Sequence, residues 1–235
     1  MSKFSDITDF HAHILPGADH GSDSLETSAE QLKILYSAGV RRVVATPHFY
    51  PNAVSVETFL KKRSKTIAAL SELPGEGIPK VYVGAEVLVC PGIDRMPGLE
   101  KLCICGTDVI LLEMPFTKWS EELYETVYNV SRMNFRVVMA HIGRYPSHQA
   151  ERLISDCGVS VQLNGENISS MHGRHKVNRW LEAGIVCAFG SDIHGASKSA
   201  AKNLREIYEF SGEYAADIND KCEHLLTGAK TVRFK

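Results

Sequence analysis

His11 and His13 are two residues apart, and so are Asp192 and His194. On a β-strand, residues i and i+2 project to the same face. Each pair could therefore present two donor atoms side by side to one cation. Glu86 and Glu113 add carboxylates, which can bridge two ions, and His48, His141 and His20 add further imidazoles. A single tetrahedral zinc takes about four ligands. The larger set here predicts two or three divalent ions with positions left for water or substrate. Imidazole and carboxylate without thiolate suit Mn, Fe or Zn better than Cu(I) or an iron–sulfur cluster. Asp9 is expected to orient a histidine from behind rather than to touch an ion. The remaining histidines, His148, His172, His175 and His224, fall in helical or loop segments and read as ordinary polar positions.

The chemistry depends on which elements carry these residues. Apolar, β-branched runs recur at Ile7–Ile14, Arg41–Thr46, Lys80–Val89, Asp108–Met114, Phe135–Ile142, Val159–Asn164 and Ile185–Ser191. Continuous apolar runs of this length fit strands buried on both faces, as in a parallel sheet. Between them lie segments with helical spacing. The first follows Asp23 and Ser24, plausible N-caps, carries Leu25, Ala29, Leu32 and Tyr36 on one stripe, and stops near Gly39. Others are Val56–Leu73, Ser120–Met133, Ser147–Cys157, His175–Ala183, Ser197–Phe210 and Ala215–Leu226. The β–α alternation predicts a parallel α/β architecture, open or closed. In a parallel barrel all strand C-termini share one rim, where active sites are built. The proposed ligands cluster at the ends of these runs, so residues far apart in sequence would meet in space. Glu166 and Asn167, after the sixth run, could line the same mouth.

Composition narrows the class. The chain has 235 residues, 44% hydrophobic and 23% charged, with a net charge of −2. That length suits one domain over residues 1–235 with a substantial core. Dispersed Lys and Arg at this net charge argue against a nucleic-acid partner. No apolar run approaches the length of a membrane span, and the start shows no secretory pattern, so a cytoplasmic protein is expected. The six cysteines form no C-x-x-C pair and read as reduced thiols. None has an arginine six residues on, so the C-x5-R motif of cysteine-based phosphatases is absent.

The segments DFHAHILPGADHG, ATPHFYPN, VGAEV, ILLEMPF, VVMAHIGRYP and SDIHG resemble, in order and spacing, the motifs of the PHP (polymerase and histidinol phosphatase) superfamily. Within it the chain is most similar to the bacterial metal-dependent protein-tyrosine phosphatases of capsule and exopolysaccharide loci. The resemblance implies a distorted (β/α)7, TIM-like barrel and a cluster of two or three ions, usually Mn, with Fe, Zn or Co as other occupants. It implies phosphomonoester hydrolysis on the phosphotyrosine tail of a tyrosine autokinase. The family ligands would fall on His11, His13, His48, Glu86, Glu113, His141, Asp192 and His194. Arg144 would be the phosphate-binding arginine.

Three departures stand out. Where related sequences read Asp-Asp-Gly, this one reads Asp19-His20-Gly21, so His20 takes the place of an aspartate ligand. The residue before Arg144 is Gly143 rather than Glu. Where some relatives carry a second arginine after the D-x-H pair, Lys198 is the available cation, a point charge rather than a planar fork.

The expected mechanism is attack on phosphorus by a water whose pKa the ions lower, without a covalent phosphoenzyme. His48 or His194, if protonated, could assist the leaving oxygen, although ligation competes with that role. Rival readings are a histidinol-phosphate or other small phosphomonoester phosphatase, a metal amidohydrolase, and a non-catalytic phospho-binding module. The amidohydrolase gives no reason for His48, Glu86 and Glu113 together, and the binding module none for a complete ligand set.

Overall fold

The computed structural model describes residues 6–235. β-strands and α-helices alternate as β1 (Ile7–Ala12), α1 (Leu25–Ser37), β2 (Val40–Ala45), β3 (His48–Phe49), α2 (Val56–Leu70), β4 (Lys80–Val83) and β5 (Glu86–Leu88). They continue as β6 (Val109–Glu113), α3 (Glu121–Ser131), β7 (Arg136–Met139), α4 (Ser147–Cys157), β8 (Ser160–Asn164), α5 (Met171–Glu182), β9 (Val186–Gly190), α6 (Lys198–Phe210) and α7 (Tyr214–Leu225). Among the described residues the pairings between these strands are parallel, in the orders β1-β2-β4 and β3-β5-β6-β7-β8-β9, and Tyr82 adds one antiparallel bridge to Thr231.

One expected strand is broken and another is followed by an unforeseen short one. The run Lys80–Val89 splits at Gly84 and Ala85, and β3 forms beyond Pro47, past the end of the run Arg41–Thr46. Pro47 has no N–H to give to a ladder, so the chain steps sideways there. The step moves β3 and β5 from the first sheet into the second, where His48 pairs in register with Glu86. Past β9 the chain returns beside β1. Ala12 bridges Ile193, the Asp192 N–H donates to the His11 carbonyl at 2.8 Å, and the His13 N–H donates to the Ile193 carbonyl at 3.2 Å. The strands thus wrap around a shared axis in the distorted manner expected, with β1 and β9 linked at their C-terminal ends.

The strands are buried on both faces, with Phe10, Val43, Val87, Leu111, Val138, Leu163 and Phe189 in one continuous core. Helices cover them. Ser24 caps α1 by accepting from the Thr27 N–H. The buried face of α1 is Ser28, Gln31, Leu32 and Leu35, rotated from the stripe that hydrophobicity predicts. Gln31 explains the rotation: its amide donates to the carbonyls of His13 and Gly21, each at 3.1 Å. A polar side chain is buried because it ties the helix to the backbone that carries His13. Helix α5 starts at Met171, not near His175. Ser170 caps it by accepting from the Gly173 N–H, and a Cβ at Gly173 would lie 2.1 Å from the Asn167 carbonyl oxygen. Gly173 thus permits a close approach at a helix start. Among the described residues no helix is long and apolar enough to cross a membrane.

Candidate metal centre

The strand C-termini bring the expected donors together. His11 lies on β1 with His13 just beyond it; His48 opens β3, Glu86 opens β5 and Glu113 closes β6. His141 follows β7, and Asp192 and His194 follow β9. Their ligand atoms form four overlapping groups, each within 4.8 Å: His13–His48–His194, His11–His13–Asp192, His11–Glu86–His141 and His48–Glu86–Glu113. His11, His13, His48 and Glu86 each belong to two groups.

The spacing fits a coordination shell. Bonds of about 2.0–2.2 Å place neighbouring ligand atoms about 2.9–3.6 Å apart around an octahedral or tetrahedral ion. His11 Nε2 and His13 Nε2 are 3.1 Å apart, and each is 3.2 Å from Glu86 Oε2. Asp192 Oδ1 is 3.2 Å from His13 Nε2 and 3.6 Å from His11 Nε2. Glu86 faces both ways. Its Oε2 lies 2.9 Å from His48 Nδ1, and its Oε1 lies 2.9 Å from His141 Nε2, which is 3.4 Å from Glu113 Oε1. His48 Nδ1 and Glu86 Oε2 are close but not along a hydrogen-bonding direction. Both, together with His194 Nε2, are buried without a hydrogen-bond partner. Unsatisfied buried polar atoms are costly. Three of them aimed into one cluster suit a divalent cation.

The other ring nitrogens fix the tautomers. His13 Nδ1 bonds Asp19 Oδ2 at 2.7 Å, His11 Nδ1 bonds Gln162 Oε1 at 3.2 Å and His194 Nδ1 bonds the Asp192 carbonyl at 2.9 Å. Each acceptor demands an N–H at Nδ1, which leaves the Nε2 lone pair for the cluster. The Tyr145 hydroxyl donates to the Met114 carbonyl and lies 3.3 Å from His141 Nδ1, so it accepts from that ring in turn.

Electrostatics agree. Burial opposes charge on His13, but Asp19, Asp192 and Glu86 outweigh it and raise its pKa well above the usual imidazole range. Glu113 and Glu86 likewise overcome burial and raise His141 to about 9. Against burial, His11, His13 and His141 hold Glu86 well below the usual carboxylate range. His11, His13 and Arg144 do the same for Asp192. A site this acidic attracts cations, protons or metal. Two candidate ligand positions also hold left-handed backbone, His141 at φ 34° and Asp192 at φ 51°. Such conformations are uncommon for residues other than glycine and concentrate at functional sites.

Arg144 stands at the rim. Its Nη2 is 2.7 Å from Asp192 Oδ2 and its Nε is 2.6 Å from Glu166 Oε1. Asp192 thus spans the donor cluster and the guanidinium. Three expected residues sit differently. His20 is exposed, its ring 5.0 Å from that of His48 and 4.6 Å from that of His194, and it takes part in none of the four groups. Lys198 does not line the cavity beside Arg144 and Asp192. Ser197, Ser199, Ala200 and Asn203 turn toward Arg144 and Asp192, whereas Lys198 lines a groove against α1 with Ala201 and Arg205. The helical turn puts Lys198 on the opposite face. Asp9 reaches no imidazole ring. It accepts from the Ser191 hydroxyl at 2.6 Å, the Ser191 N–H at 2.9 Å and the His11 N–H at 3.3 Å. Burial raises its pKa to about 6 despite the Ser191 bonds. Asp9 therefore fixes backbone, not a histidine ring.

Sequence reasoning missed Asp19 and Gln162, the acceptors that orient His13 and His11. Gln162 also accepts from the His141 N–H at 2.8 Å, and its amide donates to Asn164 at 2.6 Å. Gln162 and Asn164 are i, i+2 polar residues in a buried strand, and that pattern was the available signal. Gly190 is part of the same support. A Cβ there would lie 2.6 Å from His11 Cβ and 2.7 Å from Gln162 Nε2. Gly190→Ala is expected to destabilise the fold by about 1–3 kcal/mol, the usual cost of overpacking. Urea denaturation checks this, and an unchanged midpoint would show that His11 yields freely.

A sequence model of the family described as "Capsular polysaccharide synthesis, CpsB/CapC" matches residues 7–221. The chain belongs to the CpsB/CapC family. Among relatives, the tyrosine-protein phosphatase YwqE of Bacillus subtilis (strain 168) is 25% identical over 97% of this chain and 94% of its own length. The tyrosine-protein phosphatase CpsB of Streptococcus agalactiae serotype III (strain NEM316) is 26% identical over 80% of this chain and 83% of its own. A solved structure from work on YwqE of Bacillus subtilis and CpsB of Streptococcus pneumoniae, described as unique metal-dependent tyrosine phosphatases, has the same fold. It superposes with a TM-score of 0.72 at 21% identity, covering 97% of this chain and 98% of the other.

Proposed function

We propose that this CpsB/CapC protein is a metal-dependent phosphomonoester hydrolase, a protein-tyrosine phosphatase that acts in the cytoplasm on a tyrosine autokinase of capsular or exopolysaccharide synthesis. The carrying observation is the convergence of His11, His13, His48, Glu86, Glu113, His141, Asp192 and His194, with His48 Nδ1, Glu86 Oε2 and His194 Nε2 buried and unpartnered. The donor set and its overlaps support two or three divalent ions, with Mn as the proposed metal. Bound there, the ions supply a nucleophile from water at neutral pH and neutralise charge on the phosphoryl oxygens. The relatives named above are tyrosine phosphatases, and that supports the substrate class.

The chain's own residues do the rest. Glu86 presents one oxygen to each half of the cluster. Asp19, Gln162 and Tyr145 hold three imidazoles in the ligand tautomer. Arg144 is one carboxylate away from the donors, and its guanidinium offers five N–H groups, of which Asp192 and Glu166 engage part. The rest can meet a phosphate oxygen. Burial and the neighbouring His13 lower the His194 pKa, which leaves less of its protonated form to act as an acid. A phenolate leaving group, with a pKa near about 10, needs little protonation.

Phosphotyrosine peptide hydrolysis in the presence of a chelator, and separately of a thiol-alkylating reagent, tests this reading. The chelator is expected to abolish activity and Mn to restore it, while alkylation leaves most of it. The reverse pattern would sink the reading.

A further inference from the structure

Two cavities, one polar and one richer in aromatic side chains, meet at Arg144. One, of about 210 Å³, is polar and lined by Asn164, Glu166, Asp192 and His194. The other, of about 390 Å³, has an aromatic and proline wall of Pro115, Phe116, Trp119, Tyr145 and Pro146, and its lining also includes Lys118 and His148. Arg144 lines both. The second cleft has a rigid floor. The Trp119 indole N–H donates to the Pro115 carbonyl at 2.8 Å, its ring packs edge-on against Tyr145 at 5.0 Å, and the Tyr145 hydroxyl is held by Met114. Its outer wall is Phe116, which is 69% exposed. The Phe116 ring lies 6.1 Å from the His141 ring at 18°, nearly parallel to it. A large apolar ring is thus left in water three residues after Glu113 and beside His141, two of the proposed ligands.

We propose that this cleft is the aryl subsite of the enzyme and that Phe116 is its specificity-determining wall. The phenyl ring of phosphotyrosine would pack against Phe116 while its phosphate lies at Arg144 and the donor cluster; the inference rests on the phosphatase reading above. A phosphate ester of an aromatic ring has one polar and one apolar end. The two cavities have the same order, with a guanidinium at the junction. Aromatic rings pair at centroid separations of about 4.5–7 Å, and the exposed Phe116 face is free to take such a partner. Pockets of about 300–1,000 Å³ bind organic ligands, so the cleft has space for the ring. A phosphate ester with no apolar group would fill the polar half alone.

The test is equilibrium binding by calorimetry to the Mn-loaded protein. One probe is a peptide carrying phosphonomethyl-phenylalanine, which is not hydrolysed. The other is inorganic phosphate. Phe116→Ala is expected to weaken the aryl phosphonate about tenfold and to leave the phosphate Kd unchanged, and Phe116→Tyr is expected to restore the aryl affinity. Because Phe116 is exposed, loss of folding is not expected, and circular dichroism checks it. Equal aryl affinity in the wild type and Phe116→Ala would overturn the subsite. So would an equal loss for both probes, which would place the effect on His141. Failure of the wild type to hydrolyse a phosphotyrosine peptide would instead overturn the phosphatase reading, and the phosphonate result would still decide whether the cleft takes an aryl group.

Discussion

Glu86→Gln is expected to reduce kcat/KM on a phosphotyrosine peptide by at least about a thousandfold, since metal-ion catalysis supplies several kcal/mol and each tenfold is about 1.4 kcal/mol. The substitution keeps the side-chain shape, so packing around β5 survives. It removes the charge that His11, His13, His48 and His141 all face, at 2.9–3.2 Å. It also replaces one acceptor oxygen by an N–H₂ group, which points donors at ligand lone pairs. Bound metal, measured on the purified protein, should fall in parallel. The metal-free protein should lose stability as well, because His13 and His141 keep their raised basicity partly through Glu86. Full activity with normal metal content in Glu86→Gln would remove Glu86 from the set of residues that would hold the ions.

Asp19→Asn is expected to weaken Mn binding about 10- to 100-fold, the usual cost of losing a group that orients a ligand. Asp19 Oδ2 accepts from His13 Nδ1 at 2.7 Å and from the His48 N–H at 2.9 Å, while Oδ1 accepts from the Gly21 N–H at 2.9 Å. The carboxylate is held well below its usual range by the His13 bond and charge, despite burial. An asparagine has one acceptor oxygen. Whichever way its amide turns, an N–H₂ faces a donor on one side, and either His13 or Gly21 loses its partner. Competition with a chelating dye measures the affinity. An unchanged value would mean that His13 keeps its orientation through strand packing alone.

Much of this molecule was legible because parallel-strand physics is repetitive. The apolar runs marked β1, β6, β8 and β9 because both faces of those strands are buried, and their ends marked the rim. The breaks at Pro47 and Gly84 were not legible as strand exchange. A local sequence shows where a ladder stops, but not which neighbour the chain joins next. Yet that exchange sets His48 opposite Glu86. The i, i+2 rule drew His11 with His13 to one cluster. It could not separate Lys198 from Ser199 on a helix, where adjacent residues diverge by about 100°. His20 drew attention as the unusual residue of its loop, whereas the structural partner is its neighbour Asp19. A carboxylate that accepts from backbone and imidazole N–H groups leaves no periodic signature. Gln162 left one, a polar residue two before Asn164 in a buried strand, which marks a hydrogen-bonded network rather than a core position.

The central claim is that the strand-end donors hold catalytic divalent ions. Anomalous diffraction from crystals grown with Mn(II) tests it most directly. The expected result is at least two peaks, one among His11, His13, Glu86 and Asp192 and another beside Glu86, Glu113, His48 and His141. No peak within bonding distance of these side chains, or Mn only at peripheral histidines such as His148 or His175, would contradict it.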